Sequence, residues 1–215
     1  MNRQARYQAF INHFSAAMPE ATTELDYSTP FQLLVAVILS AQCTDKRVNQ
    51  VTPPLFKDYP DADAMAKATI ESLLNHIGSV TYPKSKARYL LESARIISAT
   101  LGGRLPRERA RLEQLPGVGR KTANVFLSVI YGEPLMAVDT HVMRLSHRLG
   151  LVSPNDKSPL AVEKRLIAHL PKNVVSKAHH WLVLHGRYTC VSQKPKCHRC
   201  KIASFCNFFK QNSLS

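Results

Sequence analysis

Three groups of residues have types and spacings that could do chemistry, and each suggests a different kind. Lys121 follows the turn "PGVG" with Arg120 between. An ammonium beside Arg120 and the positive end of a helix stands in a field that favours its neutral form, and a neutral amine is a nucleophile. The plainer alternative is a solvated lysine making a phosphate contact. Asp139, in "AVDTHVMRLSHRLGL", offers a carboxylate that could stabilise a developing cation or relay a proton. It is also suited to capping a helix, and the two roles are compatible. The third group is Cys190-x6-Cys197-x2-Cys200-x5-Cys206. Four thiolates in one short loop suit tetrahedral zinc or a 4Fe-4S cluster, and only the middle pair has the C-x2-C spacing that zinc ribbons use twice.

These residues need elements to hold them. After the glycines of "LPGVGRKTA", Ala123, Phe126, Leu127 and Ile130 recur at helical spacing, so residues 120–131 form an amphipathic helix with Lys121 roughly opposite its apolar stripe. Leu112 and Leu115 mark a shorter helix before it. The result is a helix-hairpin-helix whose turn bares the amides of Gly117, Val118 and Gly119, a ready site for a phosphate oxygen, unless it is merely an αα-corner. A bound phosphate would offset the cost of Arg120 at the positive helix end. Further on, Val142, Leu145 and Leu149 line one helix face, His141, Arg144 and Arg148 another, and Gly150 stops the helix. Around the cysteines, Arg187, Lys194, Lys196, His198, Arg199 and Lys201 would present cations to a phosphate backbone. Cys43 reads as an ordinary buried small residue.

The rest of the chain is helical by period, as in Tyr7, Phe10, Ile11 and Phe14, and an all-α fold follows. "FQLLVAVILSAQ" could be a buried strand, but no second strand exists to pair with it, which favours a buried helix. Breakers at Pro53 and Pro54, Pro60, Gly78, Pro83, Gly102 and Gly103, Pro106, the 116–119 turn, Gly132 to Pro134, Gly150 to Pro154 and Pro171 predict nine or ten helices. With 215 residues, 45% of them hydrophobic, the chain can bury a core as one or two domains. Its 29 Lys and Arg against 15 Asp and Glu leave +14, scattered along the chain, which favours a polyanionic partner, nucleic acid before anionic membrane. No apolar run would span a bilayer and no signal peptide is visible, so the cytoplasm is expected. There, five cysteines argue for metal rather than disulfides.

"LPGVGRKTAN", "AVDTH", "HHWLVLHGRYTC", the cysteine loop and "LLVAVILSAQCTD", spread over residues 20 to 206, together resemble the helix-hairpin-helix DNA glycosylases that carry a 4Fe-4S cluster. The resemblance implies a six-helix barrel domain over 23–133 and a discontinuous cluster domain over 1–22 and 134–215, with Lys121 facing Asp139 across a cleft. It also implies a monomer acting on double-stranded DNA that holds a damaged base or abasic site, in a bacterial-type cytoplasm at the nucleoid. In that reading the cysteines hold a 4Fe-4S cluster with a structural and DNA-binding role. Gln42 fills the gap left by a flipped nucleotide, and Gly117, Val118, Gly119, Arg120, His141, Arg144, Arg187, Lys194 and Lys196 contact DNA. Lys121 attacks C1′, expels an oxidised pyrimidine, and the resulting Schiff base permits β-elimination 3′ to the site, with Asp139 assisting. "GSVTYPKSKA" departs from the family pattern and leaves open which of Val80, Tyr82 or Pro83 wedges the opposite strand. A monofunctional relative using water, a non-catalytic DNA-binding protein and a zinc-dependent nuclease are the rival readings.

Overall fold

The computed structural model describes residues 1–212, and these fold without a strand. The chain divides into two compact units, Met1–Thr23 with Gly132–Ser215, and Glu24–Tyr131. In the first, α1 (Arg3–Ala17) starts behind Asn2, whose side chain accepts the Ala5 amide at 2.9 Å. It buries Tyr7, Phe10 and Phe14.

The unit Glu24–Tyr131 contains α2 (Pro30–Leu39), α3 (Asp45–Asp58), α4 (Ala62–Ala66), α5 (Ile70–Ile77), α6 (Pro83–Leu101), α7 (Arg109–Leu112) and α8 (Arg120–Tyr131). The apolar run that could have been a strand is α2. Thr29 caps it, Pro30 occupies its first turn where no amide is needed, and every residue from Leu33 to Leu39 is buried. Such a helix has no solvent face, so it becomes the centre of the unit, packed by α3, α6 and α8.

Two expectations need correction. Pro53 and Pro54 do not separate helices; both lie inside α3 and are exposed there. Burial of Val48, Val51 and Leu55 on the opposite side holds the helix together despite the two amides it lacks. The described residues also hold more helices than nine or ten, because α4, α7 and a C-terminal helix of six residues are too short to show a period.

The other unit adds α9 (Thr140–Leu149), α10 (Pro159–His169), α11 (Lys172–Tyr188) and α12 (Asn207–Asn212), with short 3-10 turns at Cys197–Arg199 and Ala203–Phe205. Its core centres on Trp181, which lies 5.8 Å from the Phe10 ring and 5.9 Å from the Phe14 ring. The indole N–H donates to the Met18 carbonyl at 2.8 Å, so its polar atom is satisfied while its rings are buried. This contact ties the N-terminal helix to the C-terminal half of the sequence.

Candidate nucleic-acid and catalytic site

In the unit Glu24–Tyr131, α7 and α8 form the predicted hairpin. Its turn is anchored on α6, where the Ser93 hydroxyl donates to the Pro116 carbonyl at 2.9 Å. Gly117 adopts φ +80, a left-handed conformation that glycine takes without strain, and a Cβ there would meet the Tyr89 ring at 3.0 Å. Val118 corrects the reading that three amides are bared. Its side chain is buried and its N–H closes the turn on the Leu115 carbonyl at 3.0 Å, so it is unavailable to a ligand. Among the described residues the amides of Gly117 and Gly119 have no such acceptor, and beside Gly119 there is open space. Ala123, Val125, Phe126 and Leu127 bury one side of α8, while Arg120 and Lys121 stay exposed in its first turn. Two glycine amides, a helix N-terminus and two cations therefore share one small surface, a combination suited to a phosphate oxygen with an amine beside it.

The same unit presents Gln42 just past α2, exposed and with φ +53. A hollow of about 230 Å³ has Gln42, Tyr82, Lys86, Tyr89 and Gly117 in its wall, so the hairpin turn and Gln42 border one recess. Of the three wedge candidates, Val80 is buried, Pro83 fills the first position of α6, and Tyr82 stands 61% exposed with φ +55. Lys86 was not among the expected site residues. It is 4% exposed, and its ammonium donates to the carbonyls of Leu39 and Ala41, both at 2.7 Å. The sequence shows only a lysine at the start of a helix; its acceptors lie 47 and 45 residues away.

In the other unit, Asp139 caps α9 by accepting the Val142 amide on Oδ1 at 2.8 Å. It is half-buried. Arg144 was expected to contact DNA. Its guanidinium is held by the protein, donating to the Cys190 carbonyl at 3.1 Å and the Gly186 carbonyl at 2.8 Å, with Nη2 3.1 Å from His141 Nδ1. His141, packed against Gly186, is correspondingly half-buried. Arg148, one turn on, was not expected in the site. It donates to the Cys190 sulfur at 3.3 Å and to the carbonyls of Val191 at 2.8 Å and Ser192 at 2.9 Å, and stacks on Phe208 at 4.4 Å. Periodicity placed both arginines on one helix face but could not name backbone acceptors more than forty residues away. Arg187 is half-buried, whereas Lys194 and Lys196 are exposed.

Cys190, Cys197, Cys200 and Cys206 are unbridged and all line one hollow, whose other walls include Leu149, Phe208 and Phe209. Among the described residues no group of His, Cys, Asp or Glu is arranged to hold a single metal ion. Four cysteines around one hollow are, by donor chemistry, a set that suits tetrahedral zinc or a 4Fe-4S cluster. Burial pushes the Cys200 and Cys206 thiols up, while backbone amides of Ile202, Phe208 and Phe209 donate to these sulfurs and pull the other way. Amide donation of that kind is what thiolate ligands require. The residues present thus fit a four-thiolate centre.

Residues 35–172 match the HhH-GPD superfamily of base excision DNA repair proteins. Endonuclease III of Escherichia coli K12 is 40% identical over 97% of each chain. Endonuclease III of Bacillus subtilis 168 is 46% identical over 87% of this chain and 85% of its own. Among solved structures, a trapped endonuclease III–DNA covalent intermediate, an estranged-adenine complex, superposes with a TM-score of 0.92 at 39% identity, covering 99% of this chain and all of that one.

Proposed function

Since the chain belongs to the HhH-GPD superfamily of base excision DNA repair proteins, and is a DNA glycosylase and AP lyase, we propose that it removes oxidised pyrimidines from duplex DNA with Lys121 as nucleophile and Asp139 as its partner. The observation that carries this reading is the exposed Lys121 in the first turn of α8, directly behind a hairpin turn with two uncommitted glycine amides. A relative trapped covalently on DNA supports it, because a covalent intermediate needs a side-chain nucleophile. We assign the six-helix barrel to the unit Glu24–Tyr131 and the cluster domain to the other.

A DNA phosphate accepts hydrogen bonds from Gly117 and Gly119 beside Arg120, and the damaged nucleotide is turned out of the stack so that its C1′ can be reached. Gln42 occupies the vacated space. The unprotonated Lys121 amine forms a bond to C1′ as the glycosidic C–N bond breaks, its electron pair leaving with the base, which takes up a proton. Asp139 Oδ1 is committed to the α9 cap, which leaves Oδ2 as the oxygen to take up a proton and stabilise the cationic sugar. Opening of the sugar gives a protonated Schiff base. Loss of a C2′ proton then sends electrons to C3′, and the 3′ phosphate leaves by β-elimination.

Cys190, Cys197, Cys200 and Cys206 are the residues that would hold a 4Fe-4S cluster, and when bound it supplies four Fe–S bonds that cross-link the loop. Arg144 and Arg148 fasten the same loop from α9, and Lys194 and Lys196 point their charges outward from it. No helix among the described residues is long and apolar enough to cross a membrane. The protein acts as a monomer on nucleoid DNA in the cytoplasm.

Borohydride trapping on duplex DNA carrying thymine glycol or an abasic site tests the reading. A covalent adduct is expected with the native protein and not with Lys121→Ala or Lys121→Gln, while DNA binding persists. An adduct retained in both variants, or none from native protein, overturns the assignment of Lys121. Metal analysis of purified protein should give iron and sulfide in equal amounts, and zinc in their place would overturn the cluster.

A further inference from the structure

Lys86 takes no part in that chemistry, yet it is the buried lysine among the described residues. Its environment is unusual for a cation. No carboxylate is bonded to it; its ammonium meets two carbonyl oxygens at the end of α2, Leu39 and Ala41, both at 2.7 Å. Carbonyls at a helix C-terminus lack intrahelical donors and carry the negative end of the helix dipole, so a lysine reaching in from another helix satisfies both needs. Burial pushes the Lys86 ammonium down, and the neighbouring Cys43 opposes that shift.

The atoms it holds lead directly to the DNA-facing turn. Gln42 follows Ala41 with φ +53, and the Gln42 carbonyl accepts the Thr81 hydroxyl at 2.8 Å. Tyr82, next to Thr81, has φ +55, and its carbonyl accepts the Lys86 backbone amide at 3.1 Å. Neither Gln42 nor Tyr82 is a residue that adopts a left-handed backbone readily, so surrounding contacts must hold both. Lys86 is bonded through its side chain to one turn and through its backbone to the other. Gln42, Tyr82 and Lys86 also border the same hollow.

We propose that Lys86 is a positioning residue that staples the Gln42 turn to the Tyr82 turn, so that the two side chains enter damaged duplex DNA as one rigid probe. The proposal rests on the reading of Gln42 as the residue inserted at the flipped nucleotide. It concerns opening of the duplex rather than chemistry at C1′. Lys86 therefore governs how well the protein recognises a paired, stacked lesion and leaves the turnover of an already opened site alone.

The test compares native protein with Lys86→Met, which keeps length and apolar bulk without the donors, and Lys86→Arg, which keeps the charge. With thymine glycol in a duplex, Lys86→Met should raise KM about tenfold, the effect of losing a charged hydrogen bond, with kcat within about twofold. Lys86→Arg should recover part of the loss. On a single-stranded abasic oligonucleotide the three proteins should trap equally. A 2-aminopurine beside the lesion should brighten on binding native protein and much less on binding Lys86→Met, a readout that needs no catalysis. In a Gln42→Ala background, Lys86→Met should cost nothing further. Equal behaviour of Lys86→Met and native on the duplex, a fall in kcat on both substrates, or additive losses with Gln42→Ala would overturn the proposal. If Lys86→Met fails to fold, Lys86→Arg and Lys86→Gln carry the same comparisons. Native protein that brightens 2-aminopurine but forms no borohydride adduct would overturn the lyase reading and leave the staple standing.

Discussion

Asp139 caps α9 with one oxygen, and the proposed mechanism gives the other a second role, so the two can be separated. One oxygen caps α9 through Val142, so Asp139→Asn keeps an acceptor where Asp139→Ala removes it. Thermal unfolding should show Asn nearly as stable as native and Ala lower by about 1 kcal/mol. Single-turnover excision should fall by roughly 10²–10⁴ in both, because neither can accept a proton. The cap was legible in "AVDTH", since a carboxylate before a helical stripe signals one. Lys86, Arg144 and Arg148 could not be read, because their acceptors are backbone carbonyls that only the folded chain brings near. His180 makes a separate point about charge. It is buried, and desolvation holds its pKa at about 4 instead of 6.5. Below pH 6.5 the unfolded chain takes up a proton that the folded one refuses until about pH 4. Native stability therefore falls across that window, by on the order of 3 kcal/mol at its acid end. His180→Phe should lose this dependence, so urea titrations at pH 7 and 4.5 should show the variant gaining on native protein as the pH drops.

The hairpin shows what an element asks of single positions. Gly117 is left-handed and packed on Tyr89, whereas Gly119 is neither, and open space lies where its Cβ would be. Gly117→Ala should lower stability by about 1–2 kcal/mol, the cost of a left-handed Cβ, and weaken DNA binding with it. Gly119→Ala should leave the unfolding midpoint unchanged yet weaken binding several-fold, because its methyl group fills the space a phosphate oxygen must enter. Calorimetry and fluorescence anisotropy on the same variants check both outcomes. A loss of stability in Gly119→Ala would remove the phosphate as the explanation. The "PGVG" turn and the stripe behind it were legible, because glycine and 3.6-residue periodicity are local signals. The inward direction of the Val118 amide was not, since it depends on the Leu115 carbonyl closing the turn. The same limit explains Pro53 and Pro54: a proline breaks a helix only when tertiary burial does not outweigh the lost bonds, and α3 buries Val48, Val51 and Leu55.

The whole molecule carries +14, and composition alone pointed to a polyanion without saying how much of that charge touches it. Counterion release makes the distinction measurable, because each phosphate neutralised by a cation contributes about −0.9 to the slope of log K against log salt. If binding drew on the net charge as a whole, the slope would be near −13. The proposed interface holds far fewer cations. With Arg144 bonded to carbonyls and the hairpin amides neutral, the proposed contacts that carry charge are Arg120, Arg187, Lys194 and Lys196. Four cations predict a slope of about −3.6, a loss of roughly 150-fold in affinity from 50 to 200 mM salt. Lys194→Ala combined with Lys196→Ala should bring the slope to about −1.8 without altering adduct formation at saturating DNA. An anisotropy titration across that salt range decides the matter. A native slope far steeper than −4 would mean that cations outside these four line the DNA path, and an unchanged slope in the double variant would detach the cysteine loop from it.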